Sequence, residues 1–301
     1  MRNPLLTLAR CCAEWRSLRR FPGVFSVRDA LKDLRYVLQP RRITRWEARR
    51  FIARRLELER LPDRGHEVRL KGEGISFFWL GEDSSGLADA VRQVVDSRHP
   101  HCYTTPPVQL NSSSRVLDVG ACEGLLACRL LRQGQAAQVH CFEPSARTAA
   151  LLRKAAELNR CADRMRIEIA AVGAVSGQVS FFDSDVPEAN RVLEPGQAGG
   201  TTVRQIALDD YCREHNLALT SNDLIKVDAE GADVDVIRGA ARIIRQSSPQ
   251  IAITTYHNPE HAVDLICLLR SLQPKYRFRL KGFTLWNSPH VPRPVLLQAA
   301  V

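Results

Sequence analysis

Four short runs place acids, small residues and a histidine where they can hold a cofactor and move a proton. Residues 116–124, Val-Leu-Asp-Val-Gly-Ala-Cys-Glu-Gly, join an apolar run to a helical one through Asp-x-Gly-x-x-x-Gly. Small residues let the backbone approach a ligand, and the free N–H groups of a helix start favour a carboxylate or phosphate. Glu143 ends the next apolar run, where a carboxylate can accept both hydrogen bonds of a ribose diol. Together the two runs point to an adenosine-bearing cofactor. A dinucleotide fingerprint, Gly-x-Gly-x-x-Gly, needs glycine where Asp118 stands, and an acid there repels pyrophosphate. The same acid suits the amino group and sulfonium of S-adenosylmethionine, the cofactor expected here; the bland alternative is that Asp118 merely caps its turn.

The third and fourth runs supply the proton chemistry. Asp228 and Glu230 follow the apolar run 224–227, and Tyr256-His257 follow the run 250–255. Methyl transfer from a sulfonium is an in-line displacement with a good leaving group, so a protein mainly aligns the acceptor and takes a proton from it. His257 is the first candidate for that base, its unperturbed pKa lying near neutrality; its alternative is a histidine that only hydrogen-bonds the sheet edge. Glu230 is the second candidate, with Asp228 holding cofactor or acceptor. Asp228 and Glu230 can alternatively share a Mg²⁺ that acidifies the acceptor hydroxyl. Lys226 alternates inward and can pair with either acid as a buried structural ion pair.

The elements that must position these residues follow from periodicity. From Arg115 onward short apolar runs alternate with helical patterns, the signature of a parallel sheet with crossover helices. Strands are expected at 116–119, 138–142, 165–172, 224–227 and 250–255, with helices at 124–132, 145–159, 234–245 and 259–272, Asn258 and Pro259 capping and starting the last. Segments 276–283 and 294–298 can add two more strands. The stretch 179–215 is too irregular for one crossover and should hold a hairpin (179–182 with 203–207) and a loop over the site. Asp118, Glu143, Asp228 and His257 then all stand at carboxyl ends of strands, where open α/β sheets bind ligands.

At these residues the chain resembles the FkbM-type S-adenosylmethionine-dependent methyltransferases. The likeness covers about residues 113–283. It rests on Asp118-Val119-Gly120-Ala121, Phe142-Glu143-Pro144, Leu208-Asp209-Asp210, Ile225-Lys226-Val227-Asp228-Ala229-Glu230-Gly231-Ala232 and Tyr256-His257, with Lys-x-Asp-x-Glu-Gly the most specific part. It implies a doubly wound, mostly parallel, seven-stranded Rossmann-like methyltransferase sheet and O-methylation of a hydroxyl on a sugar, glycan or other small natural product. Where this chain has Cys122 the family usually has Asn, a departure at the cofactor turn. The expected cofactor set is Asp118, Gly120, Ala121, Cys122, Gly124, Glu143, Pro144, Ala171 and Asp228; the expected catalytic set is Asp228, Glu230 and His257.

Before Arg115 the chain is of another kind. Residues 1–60 hold 16 of the 43 Lys and Arg and 6 of the 33 Asp and Glu, so the whole formal net charge of +10 sits there and the remainder is neutral. Ser26 with Asp29 opens an expected helix over 27–38. Thr44 with Glu47 forms a second capping box, opening a helix that ends near Pro62, with Trp46, Phe51, Ile52 and Leu56 inward and Arg45, Arg49, Arg50, Arg54, Arg55 and Arg60 around the rest. This basic helical extension, with a hairpin (68–70, 75–80) and a helix at 87–96, forms residues 1–105, and residues 106–301 form the methyltransferase domain. A basic arm invites contact with an anionic surface, or an RNA methyltransferase reading; the neutral body and the lack of an Asn/Asp-Pro-Pro-Tyr motif argue against nucleic acid. A cofactor-binding module without catalysis is the remaining alternative, opposed by the intact acids. Nine cysteines without a C-x-x-C pair, no apolar run of about 18 to 20 residues, and Arg10 breaking the first apolar stretch point to a cytoplasmic protein without a transmembrane segment.

Overall fold

The computed structural model describes residues 4–18, 20–24, 38–61, 65–81, 84–184, 190–193, 197–284 and 292–301. The expected helix over 27–38 lies outside them, its last residue apart.

A seven-stranded sheet organises the chain. Its parallel strands are β4 (Arg115–Val119), β5 (Gln138–Phe142), β6 (Met165–Glu168), β11 (Leu224–Val227) and β12 (Gln250–Thr254). Two antiparallel strands, β13 (Arg277–Thr284) and β14 (Arg293–Ala300), complete the order β13-β14-β12-β11-β4-β5-β6. Strands with both faces covered read as unbroken apolar runs, and successive residues divide between two cores. Val116, Val139, Leu224 and Ala252 join one core; Leu117, Ile225, Ile251 and Ile253 join the other. The first core is closed by α4 (Leu125–Arg132) and α5 (Ala146–Leu158), the second by α6 (Leu208–Glu214), α7 (Asp233–Gly239), α8 (Ala241–Ser247) and α9 (His261–Leu272). This is the doubly wound sheet the sequence leads one to expect, and β4 is its switch point, with β5 on one side and β11 on the other.

Ahead of the sheet come α1 (Pro4–Leu18), α2 (Arg41–Arg55), a three-stranded antiparallel sheet of β1 (Leu56–Arg60), β2 (His66–Leu70) and β3 (Ile75–Trp79), and α3 (Ser84–Val95). Leu56, Val68, Ile75 and Phe77 share the first core with α4 and α5. A third sheet, β7 (Ala171–Val172), β10 (Thr201–Ile206), β8 (Gly177–Phe182) and β9 (Arg191–Val192), in that order, contains the hairpin expected between 179 and 207.

Six expectations need correction. The helix drawn to Pro62 stops at Arg55, because Leu-Glu-Leu-Glu from Leu56 has a period of two and makes a strand. Its N-cap is Pro40, not Thr44, whose hydroxyl bonds back to the Pro40 carbonyl while Glu47 accepts from the Gln39 side chain. Trp46 faces solvent at 57% exposure: six residues from buried-side Ile52, it stands about 120° round the helix. The single strand over 165–172 leaves the main sheet after Glu168, and Ala171–Val172 pair with β10 instead. The helix over 234–245 is two, divided at Ala240 where Gly239 packs so closely on the Gly173 carbonyl that a Cβ would stand 2.1 Å from it. The last crossover helix also begins later, at His261, with Glu260 as N-cap.

Candidate active site

The carboxyl ends of β4, β5 and β11 open onto a cavity of about 410 Å³. Asp118, Gly120, Ala121, Cys122, Gly124, Glu143, Pro144, Ala171, Asp228 and Glu230 all line it. His257 does not; it stands behind the wall.

The turn after β4 is made for a close approach. Gly120 has φ +72°, and a Cβ on it would lie 1.9 Å from the Asp228 carbonyl oxygen, so only glycine lets the two strand ends meet. Cys122 also has positive φ, and its N–H donates to Glu143 Oε2 at 3.1 Å, while the Ser145 N–H donates to Oε1 at 2.9 Å. Two backbone donors thus fix the Glu143 carboxylate at the cavity wall. Burial pushes its pKa up to about 7 against the pull of those bonds.

Asp118 and Lys226 form the first of two charge clusters. Lys226 Nζ lies 2.9 Å from Asp118 Oδ1 and donates to the carbonyls of Val119 and Gly120 at 3.2 and 2.6 Å. Asp118 Oδ2 is buried without a partner among the described residues, a free acceptor at the cavity. A close-approach glycine, a fixed carboxylate and an unfilled acceptor suit the backbone, ribose diol and amino group of S-adenosylmethionine respectively.

The second cluster surrounds His257. Its Nδ1 is 2.7 Å from Asp233 Oδ2, and its Nε2 is 3.5 Å from Asp228 Oδ1 and 3.4 Å from Glu230 Oε2. Asp233, fully buried, is held by Thr254 Oγ1 at 2.9 Å and the N–H groups of Ala229 at 3.0 Å and Gly231 at 3.3 Å. Burial alone would lower the His257 pKa, but the charge and hydrogen bond of Asp233, then Glu230 and Asp228, carry it well above its ordinary value. The charge and hydrogen bond of His257 in turn hold Asp233 far below the usual carboxylate range, against the effect of its burial. Burial raises Glu230; the His257 ring 3.4 Å away opposes this and the Asp228 charge reinforces it. Side-chain exposure runs from 3% for His257 through 18% for Asp228 to 37% for Glu230, so Glu230 is the acid an acceptor can reach.

Ligand atoms of Asp228, Glu230 and His257 lie within 4.8 Å of one another. The set includes an imidazole nitrogen already in ion-pair range of both acids, whereas Mg²⁺ prefers an all-oxygen octahedron. The arrangement fits a proton-handling cluster better than a Mg²⁺ site.

Two contributors escaped the sequence reading. Tyr103 lines the cavity, donates its hydroxyl proton to Asp228 Oδ2 at 2.8 Å, and meets His101 Nε2 at 3.0 Å. Burial lowers the His101 pKa to about 3, so that ring is neutral. Asp233 is the other; an acid in the first turn of a helix after Glu230-Gly231 was the available signal.

With this geometry in place, comparison with known proteins adds the following. The sequence profile of the Methyltransferase FkbM domain matches residues 118–280. The 2-O-methyltransferase NoeI of Sinorhizobium fredii is 32% identical over 162 residues, 48% of this chain and 64% of that protein. An FkbM methyltransferase of Methylobacillus flagellatus aligns with a TM-score of 0.48 and 19% identity, over 72% of this chain and 54% of that one. An O-methyltransferase of Bacillus cereus, solved with SAH, aligns with a TM-score of 0.38 and 14% identity, over 91% and 98%.

Proposed function

The chain belongs to the FkbM methyltransferase family, and we propose that this S-adenosylmethionine-dependent enzyme methylates a hydroxyl oxygen of a sugar, glycan or other small natural product. One observation carries the proposal: an accessible carboxylate backed by the His257 imidazole stands at the same strand edge as the cofactor cradle. S-adenosylmethionine supplies a methyl group on a cationic sulfur, which departs as a neutral thioether.

The residues of the chain do the rest. Glu143 takes the ribose diol, the turn 120–124 the close backbone approach, and Pro144 and Ala171 the cavity wall beside them. Asp118 Oδ2 receives the amino group, with Lys226 keeping its other oxygen neutralised. Glu230 accepts the acceptor hydroxyl proton as the oxygen attacks in line, a contribution of roughly 10² to 10⁴-fold. His257 acts through Glu230 and Asp228, holding both in place, and Asp233 fixes its ring: these two are positioning residues. Asp228, held by Tyr103, borders the acceptor. No step requires a metal.

Residues 106–301 serve as the methyltransferase domain in this reading, with residues 1–105 as an extension that lends Tyr103 to the wall. No helix among the described residues is long and apolar enough to cross a membrane, and the nine cysteines are free, which supports a cytoplasmic setting.

The test is transfer of labelled methyl from S-adenosylmethionine to a panel of sugars, glycans and phenolic or aliphatic alcohols, with the product bond located by mass spectrometry and NMR. Methyl on oxygen is the expected result. Methyl on nitrogen or carbon, or transfer to RNA alone, contradicts it.

A further inference from the structure

We propose that the outward face of α2 docks the protein on an anionic lipid bilayer. This goes beyond methyl transfer and uses none of the residues assigned to it.

Helix α2 carries seven arginines and one acid in 15 residues, and that acid, Glu47, is occupied by Gln39. Ala48 is buried and Phe51 and Ile52 half-buried, which fixes the inward side. On the opposite side at 100° per residue, Ile43 and Trp46 stand next to one another, 47% and 57% exposed. Arg42 and Arg49 flank them on one edge and Arg54 on the other, with Arg50 between the two, all four exposed. Arg50 stacks over the Trp46 ring at 5.1 Å; Arg42, Arg49 and Arg54 have no hydrogen bond or ion pair among the described residues. An apolar pair bracketed by unpaired guanidinium groups is the make-up of a helix lying in a membrane interface.

Charge complementarity selects the occupant's sign, since the chain's whole excess of positive charge lies in residues 1–60 and the remaining residues are neutral. The exposed apolar pair selects its kind. A soluble polyanion satisfies the arginines but leaves Ile43 in water, whereas a bilayer takes Ile43 into its acyl boundary and Trp46 at the headgroup level. The surface also adjoins the catalytic cavity: α3 gives Gly86, Asp89, Ala90 and Gln93 to the cavity wall and Arg92 to an arginine-lined groove against α2. One helix separates the docking face from the site.

Sedimentation of the full chain with vesicles tests this, using phosphatidylglycerol mixed into phosphatidylcholine against phosphatidylcholine alone. Binding is expected only to the anionic vesicles and should weaken with added salt. Arg49→Gln/Arg50→Gln/Arg54→Gln should weaken it by about 10²-fold, near fivefold for each charge removed. Ile43→Ser/Trp46→Ser should weaken it while keeping the salt dependence. Both variants should bind S-adenosylmethionine like the unaltered protein, which shows that they fold. Equal binding to neutral vesicles, no binding to either, or full binding by the triple arginine variant overturns the proposal. So does tighter, arginine-dependent binding of single-stranded RNA, which assigns the face to nucleic acid.

Discussion

Two charge clusters stand side by side at the carboxyl edge of the sheet and are built on opposite principles. Around Lys226 one ammonium meets one carboxylate, Asp118, and spends its remaining donors on the carbonyls of the β4 turn. Around His257 one imidazole faces three carboxylates, Asp233 behind it and Asp228 and Glu230 in front. The first pairs its charges and holds strand ends together, leaving only Asp118 Oδ2 without a partner. The second has surplus carboxylates and one acid open to the cavity, which is the arrangement of a proton acceptor. Neighbouring ion pairs of similar composition therefore carry different duties, and the count of partners tells them apart.

Removing one partner from the balanced cluster should give the largest effect. Lys226→Met leaves Asp118 buried without its cation and should cost about 3 to 5 kcal/mol of folding stability, read from urea unfolding. Lys226→Met with Asp118→Asn should recover part of that loss, because no buried charge is then left unpaired. If Lys226→Met unfolds at the same urea concentration as the unaltered protein, the pair is not the clasp described above.

The open cluster should respond in activity rather than stability. Glu230→Gln keeps shape and removes charge; turnover should fall by at least ~10²-fold while the unfolding midpoint stays put. The pH profile sharpens this. Glu230 must be ionised, and its pKa is raised, so activity should fall as pH drops through a value above the usual glutamate range. His257 must be protonated, and its pKa is raised too, so activity should fall again as pH climbs through that value.

Asp233→Asn gives a smaller, more diagnostic change. Without the Asp233 charge His257 loses the main cause of its raised pKa, so the alkaline limb should move to lower pH. A profile that merely scales down would make Asp233 structural. Smallest of all is the effect of a chelator: turnover should be unchanged by EDTA and by added Mg²⁺, and loss with recovery would turn the cluster into a metal site.

The sequence made the strand ends legible because Glu143, Asp228 and His257 stand one or two residues beyond apolar runs and Asp118 near the end of another, and a parallel sheet puts all such positions on one edge. Lys226 was readable by the same alternation that buried it. Tyr103 was not, since 125 residues separate it from Asp228 and no periodic pattern announces the contact. Asp233 depends on how the turn through Gly231, at φ +108°, folds back, which spacing alone does not encode. In α2 the Thr44–Glu47 capping pattern competed with Pro40, whose fixed φ suits the helix start, and Trp46 was grouped with Phe51, Ile52 and Leu56 although it stands about 120° round the helix from Ile52. His257 was placed at the right strand end, yet its depth behind the wall follows from Asp233, which the sequence reading had left out.

The central claim is that the cofactor lies across this edge with its ribose on Glu143, and calorimetric titration with S-adenosylmethionine tests it without knowledge of the acceptor. Glu143→Ala leaves the ligand's diol donors unpaired and should cost ~1.5 to 3 kcal/mol, roughly ten- to a hundredfold in affinity. Glu230→Gln, which alters only the proton acceptor, should bind within about twofold of the unaltered protein, well under 1 kcal/mol. Unchanged affinity in Glu143→Ala would contradict the account.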